Sequence, residues 1–499
     1  MEVAKVKITF INPNIVTQKG DFFGTGIPYM PIVLAYAASF LREKGFDISV
    51  VDAFGERPTQ KRVCGDNIIQ GLFPMEVAGR VSGNTDLICI CAGHLIEHDD
   101  ILKIVKVLKK KRKTKICIIE NSQAVTSYPL LKATDDYFNA GADFLIYGEP
   151  EFTLLELLQK KMKDLSSIDG LIYLDKGKQK INKRRMPAGS LDVFPFPAWD
   201  LFPIRNYWKL GYAHAPYRGS YLPLLTSRGC PFRCGFCTIP FMTEQRWRAR
   251  SADNVLDEIK YFNKDHGVKY FHIEDLNPTI DKKRMLDLAK GIIDSRLDVR
   301  LKFASGTKIE TFDEEVLTLL AKAGCDYVSF SPESGSKRVL SLMKKPFDHG
   351  HGLKMLKVMK SLGITTQACF ILGYPGEKKE DIVQTRDYVY ELFRAGLDEM
   401  AILVMAPVPG SAPYEFFQQK DLTSLTFSPK WRKDYDYLNK TRFKIYIRSY
   451  LIKMFRHPVN FFSAMAFGLF GRFRTKSEMT LYRLLKVYSL PNKGKSMRC

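Results

Sequence analysis

Acidic residues are in short supply. The chain carries 54 Asp and Glu against 76 Lys and Arg in 499 residues, a formal charge of +22. That excess points to an anionic partner (nucleic acid, a membrane surface or a phosphorylated substrate) without choosing among them. Cysteine is sparse, at ten residues, which excludes a disulfide-stapled mini-scaffold. No secretory signal precedes the strand-like opening MEVAKVKITFI, so a cytoplasmic setting with reduced thiols is expected, in which clustered cysteines mean metal or catalysis before disulfides. Long apolar runs are missing too. The longest charge-free apolar stretch near the C-terminus, PVNFFSAMAFGLFG at 458–471, is shorter than the ~20 residues of a spanning helix. Repeats and low-complexity tracts are absent. What remains is ordinary for a globular protein, with 45% hydrophobic and 26% charged residues, and a length that suggests about three domains.

The first ~160 residues alternate short β-branched runs with amphipathic segments. VKITFI, DISVVDA, LICICAG, KICIIEN and DFLIYGE read as five strands, and residues 31–44 as the first helix. Near-continuous apolar strands separated by helices predict a parallel, doubly wound, Rossmann-like sheet over 1–160. Such sheets bind ligands beyond the carboxyl ends of their strands, here Asn12-Pro13, Asp52, Ala92-Gly93, Asn121-Ser122 and Gly148-Glu149. Residues 161–215, dense in Pro and aromatics, read as a linker. Alternation resumes over 216–420, with strands at YLPLLTS, KYFHIED, LKFASGT, YVSFSPE, TQACFILG and EMAILVM. Six strand–helix units predict a partial or complete β/α barrel, whose active site lies at the carboxyl ends of its strands. The tail, 421–499, holds 17 Lys and Arg against 4 Asp and Glu, a net +13, interleaved with aromatic and aliphatic residues. It reads as a basic, amphipathic helical region.

SRGCPFRCGFC places Cys230, Cys234 and Cys237 in a CxxxCxxC spacing directly after the first barrel strand. Thiolates are the usual ligands of iron–sulfur clusters. Three of them on a four-iron cluster leave one iron open, whereas structural zinc closes with four ligands, and no fourth Cys lies nearby.

This motif, with Phe236 before its last Cys, resembles the signature of the radical S-adenosylmethionine (SAM) superfamily. KYFHIEDLNPTID resembles the region of the second-strand acidic motif, with Glu274 and Asp275 in its place. SFSPESGS resembles the GxESGS segment, with Glu333 and Ser334. ACFILGYPGE resembles GxIxGxPGE, with Gly373, Pro375 and Gly376. The resemblance implies that Cys230, Cys234 and Cys237 hold a [4Fe–4S] cluster whose open iron chelates SAM. One electron, from a donor such as flavodoxin or ferredoxin, then cleaves a carbon–sulfur bond to give a 5′-deoxyadenosyl radical that abstracts hydrogen. It further implies that Glu274 or Asp275 accepts from the SAM ammonium, that Glu333 and Ser334 contact its ribose or amino-acid portion, and that the Gly-Tyr-Pro-Gly turn approaches its adenine. Arg248 and Arg250 read equally as structural or anion-binding.

A doubly wound domain ahead of such a barrel resembles the cobalamin-binding-domain class of that superfamily, through FINPN, the Gly-Ile-Pro-Tyr-Met-Pro helix entry, VVDAFGE and DFLIYGEPEFTLLELL. The resemblance places cobalamin on the carboxyl edge, at Asn12, Asp52, Asn121, Ser122 and Gly148. The Asp-x-His-x-x-Gly motif of enzymes that ligate cobalt through His is absent, and His94 and His98 read as solvated loop histidines. Cys89, Cys91 and Cys117 with Cys64 offer a second cluster, as in methylthiotransferases that modify tRNA, but three of them lie in strand cores and read as small buried apolar residues. The tail's charges suit an anionic leaflet, and the uncharged 458–471 stretch disfavours nucleic acid. The tail also resembles that of class members acting on hopanoids, tetrapyrroles and other lipid-like molecules. The expected enzyme is therefore a membrane-peripheral C-methyltransferase of a lipid-like substrate. A tRNA methylthiotransferase and a cobalamin-free oxidase or cyclase are the alternatives.

Overall fold

The computed structural model describes residues 6–21, 24–417, 421–422, 428–469 and 471–491. Ten strands form its first half: β1 (Lys7–Asn12), β2 (Ile15–Gln18), β3 (Asp47–Asp52), β4 (Lys61–Cys64), β5 (Asn67–Gln70), β6 (Leu87–Ala92), β7 (Lys115–Glu120), β8 (Phe144–Ile146), β9 (Leu171–Asp175) and β10 (Lys178–Ile181). Seven of them build a sheet in the order β10-β9-β8-β7-β6-β1-β3. The five apolar runs singled out in the sequence are its parallel core. Except for the half-exposed edge strand β3, they are buried on both faces because helices such as Ile32–Glu43 and His98–Lys111 cover the sheet on either side. Strand order reverses between β1 and β6, so the crevice beyond Asn12 and Ala92 is the topological switch point, where such sheets take ligands.

The stretch 161–215 is not a simple linker. Its hairpin β9–β10 extends the first sheet antiparallel to β8, and Ile204–Leu210 is helical. Its Pro and aromatic density masked this, because Phe194, Trp199 and Tyr207 are buried as packing, not spread along a spacer. Strands β2, β4 and β5 form a small separate sheet that short, weakly alternating runs had not announced.

The second half contributes β11 (Tyr221–Leu224), β12 (Ser227–Gly229), β13 (Trp247–Ala249), β14 (Tyr270–Ile273), β15 (Arg300–Thr307), β16 (Cys325–Glu333), β17 (Thr365–Leu372) and β18 (Glu399–Val404). Six run parallel in the order β11-β14-β15-β16-β17-β18. The sheet stays open between β11 and β18, a partial barrel. The intervening helices begin where the sequence supplies caps: the side chains of Ser251, Asp281, Asp313, Ser336 and Asp348 each accept a backbone N–H of the first turn. Alternate residues of the strands line one central cavity, for instance Ser329, Ser331 and Glu333 of β16 and Cys369 and Ile371 of β17, because side chains two apart share a face.

Buried ion pairs lock the two sheets together. Arg228 bridges Glu151 (2.8 Å) and Glu149 (3.3 Å), and Arg248 also reaches Glu149. Arg250 pairs with Glu258 (2.5 Å) and donates to Tyr36 Oη (2.8 Å). Both Arg248 and Arg250 are therefore structural. The tail is helical at Tyr435–Arg456, Pro458–Leu469 and Lys476–Ser489. The first of these packs on the helix Lys379–Arg394 and on β18, and it spends part of its charge internally: Arg442 and Lys453 are buried and donate to backbone carbonyls of β18 and the residue before it. No described helix is long and apolar enough to cross a membrane.

Candidate active site

The loop that bears the three cysteines is shaped by glycine and by backbone bonds. Gly229 (φ +79°) packs so closely that a Cβ would lie 1.9 Å from the carbonyl oxygen of Arg246, the residue before the paired strand β13, so no larger residue fits there. Gly235 donates to the Met343 carbonyl (2.8 Å) and accepts from Ala412 N (2.9 Å), and Cys237 N closes a turn on the Cys234 carbonyl (3.1 Å). The first sheet also holds the loop, through Gln123 Oε1 accepting from Gly229 N (3.2 Å) and Thr238 Oγ1 donating to the Ser127 carbonyl (3.2 Å).

Cys230, Cys234, Cys237 and Phe236 all line a cavity of about 430 Å³ that runs from the barrel interior to the first sheet's switch point. The thiols are near enough to disfavour one another's ionisation. Burial, then the neighbouring thiols, push Cys230 up to about 11 and Cys237 up to about 12, while Lys345 and Lys308 oppose the rise at Cys230. Cationic iron is what such a set needs in order to deprotonate. Among the described residues no three His, Cys, Asp or Glu side chains converge tightly enough for a single metal ion. A four-iron cluster asks for a wider spacing, because each thiolate binds a different iron. Three thiols lining one cavity suit three irons of such a cluster, whereas structural zinc takes four close ligands.

The acids differ in what they do. Glu274 lines the cavity and accepts from His214 Nδ1 (2.6 Å) and Ser305 Oγ (3.4 Å). Asp275 does not reach it. Buried, it accepts from Thr226 N (2.8 Å), Thr226 Oγ1 (2.7 Å) and Ser227 Oγ (2.5 Å), and so ties the end of β14 to the root of the cysteine loop. Glu333 lines the cavity, paired with Lys345 (2.5 Å). Its φ of +63° is a conformation that costs a residue with a Cβ roughly 1–3 kcal/mol and clusters at functional sites. Ser334 is fully buried behind it, bonded to Thr385 Oγ1 (3.0 Å). The turn at Gly373, Pro375 and Gly376 also lies off the cavity. Gly373 (φ +80°) packs against Leu438 and Arg432 of the tail, and the Gly376 carbonyl accepts from Arg338 (2.7 Å). Gly373 thus serves the docking of the tail.

On the first sheet, Asn12 and Asn121 line the cavity. Asp52 is buried beneath Asn12, accepting from its Nδ2 (2.8 Å), from Gly55 N (2.8 Å) and from Tyr207 Oη (2.9 Å), and burial pushes it up to about 6. Ser122 is buried behind Gln123. Gly148 donates to Glu120 (2.7 Å) and stands away from the cavity. The two histidines are not solvated. His98 is fully buried between Tyr128 Oη (2.7 Å) and Asp136 (3.0 Å). His94 lines the cavity with its ring 4.8 Å from Tyr29, and burial pushes it down to about 4, so its imidazole is neutral. Cys89 and Cys117 are register neighbours inside the sheet. Sequence reasoning missed His214, His272, Gln123, Lys308 and Lys476, all on the cavity. Lone residues outside any motif carry no local signal, although His272 sits two residues before Glu274 and thus on the same strand face.

Residues 224–389 match the model of the radical SAM superfamily. The chain is 30% identical over 443 residues to the cytidylyl-2-hydroxyethylphosphonate methyltransferase of Streptomyces wedmorensis, covering 81% of this chain and 80% of that protein. It is 27% identical to an uncharacterized methyltransferase of Pyrococcus horikoshii, over 86% of each. The cobalamin-dependent SAM radical enzyme OxsB, solved with aqua-cobalamin bound, superposes with a TM-score of 0.67 at 16% identity, covering 99% of this chain and 78% of that one. That likeness is one of fold. With a cysteine triad of the required spacing on the shared cavity, the chain belongs to the radical SAM superfamily of enzymes, in the family of the Streptomyces methyltransferase.

Proposed function

We propose that this chain is a cobalamin-dependent radical SAM methyltransferase that alkylates a C–H position of a lipid-like substrate at an anionic membrane. The observation that carries the reading is the single cavity joining the three cysteines to the switch-point edge of the first sheet. When bound, the cluster, SAM and cobalamin supply one-electron cleavage of a carbon–sulfur bond and a methyl group carried on cobalt. The protein's part is to hold and orient. Cys230, Cys234 and Cys237 would ligate three irons, with Lys345 and Lys308 balancing the charge of their thiolates. Glu274, held by His214, is aimed to accept from the SAM ammonium. Asn12, Asn121, Gln123 and Thr126 offer short polar side chains to a corrin edge, and His94 presents a neutral ring beside them. Walls from both sheets keep water from the reacting atoms. The electron enters from a small donor such as flavodoxin or ferredoxin.

The membrane part of the reading is supported by the tail. Phe443, Ile447, Leu451 and Phe455 recur every four residues along the helix Tyr435–Arg456 and are all exposed, as is Val459 at the start of the next helix, Phe455 and Val459 by more than 75%, with Lys444, Arg448 and Arg456 exposed beside them. An apolar stripe flanked by basic residues is the pattern of an interfacial helix. The test is anaerobic reconstitution. We expect one four-iron cluster, bound cobalamin, SAM cleavage under reductant, and a lipid in gene-bearing cells heavier by one methyl than in cells without the gene. A second cluster with co-purified tRNA, or SAM cleavage indifferent to cobalamin, overturns it.

A further inference from the structure

The helix Lys476–Ser489 lies along the seam that the second sheet leaves open. At its start, Lys476 N donates to Glu399 Oε1 (2.8 Å), and Ser477 N and Oγ to Glu399 Oε2 (2.7 Å each); Glu399 is the first residue of β18. Farther along, Met479 Sδ accepts from Ala213 N (3.4 Å), and Lys486 Nζ donates to the Leu210 carbonyl (2.9 Å), both in the segment leading into β11. The tail thus supplies the missing wall of the barrel, and Lys476 and Thr480 line the cavity.

Three lysines line that cavity. Lys345 pairs with Glu333 and Lys308 with Glu310 (3.2 Å), and both act on the cysteine end. Lys476 enters from the tail, on the side of Glu399 and Glu274. Its Nζ donates to the Ala304 carbonyl (2.6 Å), and the carboxylates that weigh on it, Glu399 and Glu274, are occupied by the bonds already described. Partly buried and over the Tyr327 ring (5.7 Å), this ammonium has no carboxylate in contact among the described residues, and a charge so placed gains from an anion that joins it. Beside it, Tyr221 and His272 stack with ring centres 4.6 Å apart, and Tyr221 Oη and His272 Nε2 are buried with no hydrogen-bond partner among the described residues. Buried polar atoms are rarely left so. The wall around them is apolar, including Pro223, Ala401 and Leu403.

We propose that this side of the cavity is a substrate subsite in which Lys476 pairs with an anionic oxygen group, a carboxylate or a phosphate, on an otherwise apolar molecule, with Tyr221 and His272 completing its hydrogen bonds. The proposal rests on the reading of the cavity as the active site and narrows its substrate class to an acid. The test titrates full-length reconstituted protein with octanoate, octyl phosphate and octanol, and separately with SAM. One of the two anions binds at least tenfold more tightly than octanol, and which one tells carboxylate from phosphate. Lys476→Met abolishes the preference, Lys476→Arg keeps it, and both leave SAM affinity within twofold. Equal binding of acid and alcohol, or a Lys476→Met protein that keeps the preference, overturns the proposal; so does loss of SAM affinity with the preference intact. If Lys476→Met fails to fold, Tyr221→Phe is read instead and weakens the anion alone. SAM cleavage in the same preparation reports on the methyltransferase reading by itself: if cleavage fails while the anion preference stands, the subsite survives and that reading falls.

Discussion

Gly373 decides between two roles for the Gly-Tyr-Pro-Gly turn, and Gly373→Ala separates them. At φ +80°, an added Cβ would lie 2.5 Å from Leu438 Cδ1 and 2.7 Å from Arg432 Nη2. A residue with a Cβ in that conformation costs about 1–2 kcal/mol, and overpacking of this kind adds roughly 1–3 kcal/mol. Arg432 cannot withdraw freely, because it donates to the Met405 carbonyl (2.7 Å) and to both Asp434 oxygens (2.9 and 2.7 Å). The sum is about 2–5 kcal/mol, concentrated where the tail docks. At ~2–4 °C per kcal/mol for a unit of this size, thermal unfolding followed by circular dichroism should show Tm lower by roughly 4–20 °C. Limited proteolysis should release the tail earlier, and SAM affinity should stay within threefold. An unchanged Tm with a tenfold loss of SAM affinity would refute the packing argument and return the turn to the cofactor.

Further outcomes follow from the same contacts. Arg228→Met leaves Glu151 buried without its partner and lowers stability by about 3–5 kcal/mol, and adding Glu151→Gln restores part of it; chemical denaturation of the pair measures both. His214→Ala frees the carboxylate of Glu274 and weakens SAM binding about tenfold, as expected for a lost charge-assisted bond, whereas Asp275→Asn lowers Tm before it touches SAM affinity. Glu120, which accepts from Leu130 N and Gly148 N, is pushed up to about 7 by burial. It therefore binds its proton more tightly folded than unfolded, and this contribution to stability is present below about pH 4 and lost as pH rises through 7. Glu120→Gln should be less stable than the parent at pH 5 and should close that gap by pH 8, as Tm against pH will show. Phe455→Asp with Val459→Asp should cut co-sedimentation with anionic vesicles at least tenfold without changing Tm.

The five apolar runs of the first sheet and the six of the second were legible from residue type alone. A β-branched run between turn residues has few other stable uses. The cysteine triad was equally plain, because its spacing is local. The aromatic stretch 161–215 misled, since burial of Trp199 and Tyr207 depends on surfaces contributed from far along the chain. Asp275, Ser334, Asp52, Ser122 and Gly148 sat in suggestive places yet turned out to bond inward. One position along a strand separates a side chain that faces a cavity from one that braces its wall, and the pleat is set only when the sheet closes around it.

Sequence by itself thus determined the two parallel sheets, their order along the chain, and the three thiols on a loop beyond the first barrel strand. Only the tertiary structure decided that the two sheets share one cavity, that His214 claims Glu274, and that a basic tail sends Lys476 inward while presenting Phe455 and Val459 to the outside. Periodicity and spacing are local and can be read from consecutive residues. Which face meets which depends on packing between segments hundreds of residues apart, and no consecutive stretch encodes it.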